Sequence, residues 1–112
     1  MEKKFKAYIY GYMCNAEVGN LSELNEFFKK ALPITKRYKE TAFVESNGYR
    51  FAVSVESDFS LRINWGKKVM DAYKIIKTDV KRMTQKNVDV LSGIATNAFK
   101  EIYKEFTGKS IE

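Results

Sequence analysis

The chain of 112 residues has no histidine, one cysteine and one proline. Without histidine there is no Ser-His or Cys-His nucleophile pair, no imidazole metal ligand and no general base titrating near neutral pH. Cys14 alone makes neither an internal disulfide nor a zinc knuckle, and a lone free thiol suits a reducing compartment, so the expected location is cytoplasmic. No apolar run approaches the roughly 20 residues of a membrane span. The stretch from Phe5 to Cys14 has the look of a signal-peptide core, but it carries Lys6 and several tyrosines and is followed by no small-residue cleavage pattern. Phosphate-cradling glycine loops and the G-x-S-x-G nucleophile turn are also missing. Glu23 with Glu26, and Glu101 with Glu105, stand at helical spacing, yet no further ligand is identifiable to complete a metal site. The expectation is therefore no enzyme, no cofactor and no metal.

What is present is a folding composition. Apolar residues make up 45% of the chain and aromatics 14%, with 20 Lys plus Arg against 14 Asp plus Glu, a formal charge of +6. That is enough for one domain, residues 1–112, with its own core and no disulfide staples. The composition is not that of a disordered basic tail.

Periodicity supplies the elements. Lys4 to Asn15 alternates as a strand, with Phe5, Ala7, Ile9, Gly11 and Met13 on one face and Lys4, Lys6, Tyr8, Tyr10 and Tyr12 on the other. A helix is expected from Leu21 to about Ala31, capped by Asn20 with Glu23 at the capping-box position and stopped by Pro33. Asn47-Gly48 is the preferred pair for a two-residue hairpin turn that needs positive φ at both central positions. It sets Ser46 opposite Tyr49, Glu45 opposite Arg50, Val44 opposite Phe51, Phe43 opposite Ala52 and Ala42 opposite Val53. Turn chemistry and hydrophobic phase agree in this register. Ser60 to Trp65 alternates again, with Leu61, Ile63 and Trp65 inward.

From Gly66 to about Lys86, Val69, Tyr73, Ile76, Val80 and Met83 step by three and four, the spacing of an amphipathic helix. A last helix, capped by Asn87 or Asp89, carries Leu91, Ile94, Ala98, Ile102 and Phe106 and ends at Gly108. The expected class is thus α+β, in the order β-α-β-β-β-α-α, a mainly antiparallel sheet packed with three helices.

Two features point to a partner. Tyr8, Tyr10 and Tyr12 recur at period two beside lysines, a stripe that suits base stacking, a protein interface or burial under a helix. Basic residues gather as Lys36, Arg37 and Lys39 after the first helix and as Lys67, Lys68, Lys74 and Lys81 along the expected second one. Lys67, Lys74 and Lys81, seven residues apart, would share a helical face and could meet phosphates. Two nucleic-acid folds fail on detail. The α-β-β-β-α order of a double-stranded-RNA-binding domain is met from residue 21, but Asp71 stands where a further lysine would help and the Gly-Pro-x-His hairpin pattern is missing. The RNA recognition motif would need Tyr49 and Phe51 on an open face, whereas they share the phase of Val53 and Val55.

The favoured expectation is a small non-enzymatic binding protein that inhibits or regulates a protein or nucleoprotein partner through its tyrosines and basic residues. Compact basic domains of this kind are common among phage and mobile-element accessory proteins, inhibitors of host nucleases included. The alternative is direct binding of RNA or DNA through lysine-rich helices. A homo-oligomer joined through the first strand or last helix is a further option, and no membrane partner is expected.

Overall fold

The computed structural model describes residues 5–11, 14–67 and 72–112. Its strands are β1 (Phe5–Ile9), β2 (Ala16–Val18), β3 (Ala42–Ser46), β4 (Tyr49–Val55), β5 (Leu61–Gly66) and β6 (Ala72–Ile76), and its helices are α1 (Leu21–Tyr38) and α2 (Gln85–Thr107). The six strands form one antiparallel sheet in the order β2-β1-β3-β4-β5-β6. Both helices pack against each other and on the same side of the sheet. The α+β class stands, with two helices among the described residues instead of the three expected.

The β3–β4 hairpin adopts the register that Asn47-Gly48 dictates, from Ser46 opposite Tyr49 through Ala42 opposite Val53. Gly48 sits at φ +86°, a conformation that glycine adopts without the steric cost a Cβ would bring. Ala42, Val44, Tyr49, Phe51, Val53 and Val55 consequently point into the core, where each is at most 5% exposed. Phe5, Ala7 and Ile9 of β1 and Leu61 and Ile63 of β5 extend the same buried face. Phe99 of α2 is its hub. The Phe99 ring meets Phe5 and Phe51 edge-on at centroid separations of 5.3 and 5.1 Å and stacks on Tyr103 at 5.6 Å. Such pairs add about 0.5–1.5 kcal/mol each beyond the area they bury.

α1 starts as its sequence requires. The Asn20 side chain accepts from the Glu23 backbone N–H at 2.8 Å, and the Glu23 carboxylate accepts from the Gly19 N–H at 2.7 Å. The Leu21 N–H donates to the Glu112 carbonyl at 2.9 Å, which ties the C-terminal tail to this helix and leaves Ile111 only 2% exposed. The expected stop at Pro33 does not occur, and the helix runs on to Tyr38. Proline removes one backbone donor there, but Ala31, Leu32 and Thr35 are completely buried around it. The gain from that burial holds the extra turns in place.

Two further expectations are overturned. The opening strand is not continuous to Asn15: β1 ends at Ile9, Gly11 follows at φ +82°, and the chain returns as β2 paired antiparallel to β1. The helix expected from Gly66 to Lys86 is not formed either, because residues 72–76 pair with β5 as β6 and residues 77–84 lead irregularly into α2. An edge strand solvated on both sides has no need of period-two alternation, and β6 shows none in its burial. The three- and four-residue spacing therefore had no competing signal to betray it. α2 is capped by Thr84, whose hydroxyl accepts from the Asn87 N–H at 3.2 Å, so its start lies ahead of the Asn87 or Asp89 cap expected. Its end at Gly108 is as expected.

The turn joining β4 to β5 anchors the chain just beyond β6. Asp58 accepts from the Ser60 hydroxyl at 2.6 Å and from the Ser60 N–H at 3.0 Å, and Lys77 reaches its other oxygen at 3.4 Å. The Thr78 hydroxyl donates to the Phe59 carbonyl at 2.8 Å. The Ser60 hydrogen bonds, with Lys77 adding to them, hold the Asp58 carboxyl below its ordinary range, at about 2.

This depression has a testable sign. The Asp58 contribution to stability is complete above the unfolded-state value of about 4 and disappears as pH falls toward about 2. Urea unfolding of wild type and Asp58→Asn across that window should show wild type ahead at pH 6 and the two converging near pH 2. Gly93 offers a second test, since a Cβ added there would meet no atom within 4 Å. Gly93→Ala should stabilise the protein by about 0.5–1 kcal/mol, a rise of several degrees in thermal midpoint.

Candidate functional site

With α1 and α2 on one side of the sheet, the other side carries no helix among the described residues. The strand registers assign its residues row by row. The central row runs Tyr8, Phe43, Ala52, Asn64 and Tyr73, each directly opposite the next across β1, β3, β4, β5 and β6. A flanking row runs Glu17, Lys6, Glu45 and Arg50. On the other flank, Ser54 lies opposite Arg62 and Arg62 opposite Ile75.

The rings dominate the middle of this face. Tyr8 and Phe43 stack at 5.3 Å with planes 22° apart, and Ala52 beside them is only 4% exposed. Tyr73 and Ile75 on β6 are 65% and 43% exposed. Charges at the flanks come as pairs. Glu45 accepts at one carboxylate oxygen from both the Tyr8 hydroxyl and Arg50 Nε, each at 3.0 Å. Arg62 Nε donates to Glu56 at 2.6 Å. Partial burial, and after it the bond to Glu45, raises the Tyr8 phenol above its ordinary value, so the ring stays neutral and pinned as a donor. Beside it a hollow of about 550 Å³ is lined by Lys6, Tyr8, Asn15 and Glu17 among others.

The expected site residues divide among several places. Tyr8 lies on the uncovered face. Tyr10, 63% exposed, sits just past the end of β1, so the tyrosines do not form one strand-borne stripe. Tyr12 and Lys68 lie outside the described residues. Lys36, Arg37 and Lys39 mark the C-terminal end of α1, where Lys36 Nζ stands 4.9 Å from the centre of the Phe59 ring, Arg37 lies over Tyr38 at 5.3 Å, and Lys39 is the left-handed cap. Lys67 follows β5, Lys74 is on β6 and Lys81 is in the segment before α2; all three are exposed. The helical lysine face expected for Lys67, Lys74 and Lys81 therefore does not exist, because no helix carries them.

The turn at Phe59 instead draws two basic groups together. Lys36 approaches from α1, and Lys77 is held at Asp58 from the far side of β6. A cleft of about 300 Å³ next to it is lined by Lys36, Lys39, Glu40, Thr41, Ser54 and Glu56 among others. Sequence reading missed Phe43 and Tyr73 as surface residues. Phe43 carried a signal, since its phase in the hairpin opposes that of Val44.

Among the described residues, no three Cys, Asp or Glu side chains gather in a group that could hold a metal ion. Likewise, no described helix is long and apolar enough to cross a membrane. Comparison with protein-family models, curated proteins and solved structures returned no match.

The Tyr8–Phe43 contact can be measured. A double-mutant cycle with Tyr8→Ala and Phe43→Ala should give a favourable coupling of about 0.2–1 kcal/mol by chemical denaturation, the range for directly opposed neighbours on a sheet.

Proposed function

We propose that this protein is a non-enzymatic binding module that engages a protein or nucleoprotein partner through the uncovered sheet face and, by occupying the partner's surface, inhibits or regulates it. The observation that carries this reading is the layout of that face: the stacked Tyr8 and Phe43 with Ala52 beside them, the exposed Tyr73 and Ile75 at the β6 edge beyond Asn64, and the ion-paired Arg50 and Arg62 flanking the rings. Protein interfaces have this anatomy, an apolar core rich in rings inside a polar rim.

Charge on the same face argues against a nucleic-acid strand lying across it. Arg50 is already matched by Glu45 and Arg62 by Glu56, and Glu17 stands opposite Lys6. A phosphate backbone would meet carboxylates there and would have to break existing pairs to find cations. Exposed Lys67 and Lys74, in no ion pair among the described residues, lie instead at the β5–β6 edge, where they can steer an acidic partner toward the face. The half-buried thiol of Cys14 fits work in a reducing, cytoplasmic setting. A host nuclease, inhibited by a phage or mobile-element accessory protein, is one partner of the expected class.

The test is co-purification with the tagged full chain from host cells, followed by reconstitution from purified components. Wild type should retain a defined partner and alter its activity. Tyr8→Ala/Phe43→Ala should lose at least tenfold in affinity, as truncation of central aromatic contacts does, while Lys100→Ala, at an exposed position of α2, should behave as wild type. No mobility shift of a 30-nucleotide RNA or DNA is expected at about 50 mM salt. A shift that weakens steeply with salt and disappears in Lys36→Glu/Lys39→Glu would overturn the reading in favour of nucleic acid.

A further inference from the structure

The sheet has two edges, and they are not alike. β2 is three residues long and lies against α1, so it offers little backbone to another chain. β6 is five residues long, and its extensive contacts are with β5. Among the described residues, no backbone hydrogen bond beyond the sheet's own ladder reaches Ala72–Ile76. The strand carries no proline, and Tyr73, Lys74 and Ile75 are all exposed. An antiparallel edge of this kind leaves every second residue's N–H and C=O pointing outward, ready to pair with an extended segment.

We propose that β6 is a strand-addition site, and that its occupant is an extended, acidic segment of the partner protein, which joins the sheet as a seventh strand. This rests on the protein-binding reading of the uncovered face and says how the partner reaches it. Side chains of the added strand alternate between the two sides of the sheet. Those on the uncovered side would continue the apolar surface of Tyr73 and Ile75, and those on the helix side would come beside Lys74. Charge selects the occupant. Lys74 stands mid-strand with no ion pair among the described residues, and exposed Lys67 lies just beyond one end of the β5–β6 ladder, while Lys77 beyond the other end is already paired with Asp58.

A second copy of the chain fits less well. The register that uses the whole of β6 in both copies is centred on Lys74 and sets it opposite itself. Like charges directly opposed destabilise a strand pair, and each copy also carries a net +6. An acidic segment turns the same lysine into an attraction.

The experiment selects random dodecapeptides on the immobilised full chain. Recovered peptides should alternate Asp or Glu with Val, Ile, Phe or Tyr. A synthetic copy of the strongest should slow hydrogen exchange of the amides in β6. Lys74→Glu should weaken its binding by about tenfold and added salt should weaken it further, as expected when a cross-strand attraction becomes a repulsion. Recovery of peptides without carboxylates, or protection confined to β1 and β3, would overturn the proposal. So would a concentration-dependent dimer that protects the same amides without peptide. The two readings fail separately: a native partner lost by Tyr8→Ala/Phe43→Ala but retained by Lys74→Glu leaves the face standing and removes the edge.

Discussion

The register of β3 against β4 is the constraint on which the rest of the molecule depends. A slip of β4 by one residue against β3 would turn Phe51 and Val53 out to solvent and bring Arg50 into the core, on the opposite face from Glu45. Burying that guanidinium without its carboxylate partner would cost several kcal/mol. The Asn47-Gly48 turn and the apolar phase of both strands exclude the slip together. β1 and β5 then pair to either side in matching phase, so the position of every inward ring, and of every outward one, follows from this hairpin.

Phe99 reads the result from the other layer. It contacts Phe5, Tyr49, Phe51 and Tyr103, rings from β1, β4 and its own helix, and so locks α2 across the sheet. α1 lies beside α2, joined to it by Thr96 donating to Asn25 at 3.1 Å and by the longer Lys29–Asp89 contact at 4.0 Å. Two helices cover one side of six strands. Of the residues expected to form a third helix, 72–76 became the edge strand β6 and 77–84 an irregular lead into α2. One event thus widened the sheet, left Tyr8, Phe43 and Tyr73 without a helix over them, and created an open edge.

How legible this was in the sequence depended on whether the signal was local. The β3–β4 turn, the Asn20 cap, the Gly108 stop and the inward phases of Phe5, Phe51 and Ile63 were all readable, because each is decided within a few residues of chain. Lys36 and Lys77 were visible as basic residues but not as neighbours of one turn, since Phe59 and Asp58 bring them together across the fold. Ile111 lies past a helix stop, where nothing local predicts that the tail returns to cap α1 and bury it.

The sequence by itself determined the α+β class, the central hairpin and which of its residues face inward, and the poverty of catalytic side chains. Those follow from turn stereochemistry, from period-two alternation and from composition. Only the tertiary structure decided that residues 72–76 are a strand, that α1 passes through Pro33, and that both helices crowd one side of the sheet. In each case local preference was outweighed by a distant partner: β5 offered β6 a ladder of hydrogen bonds, and the core around Leu32 and Thr35 offset the donor that Pro33 lacks. The uncovered face is the sum of those choices, and no stretch of the sequence carries it alone.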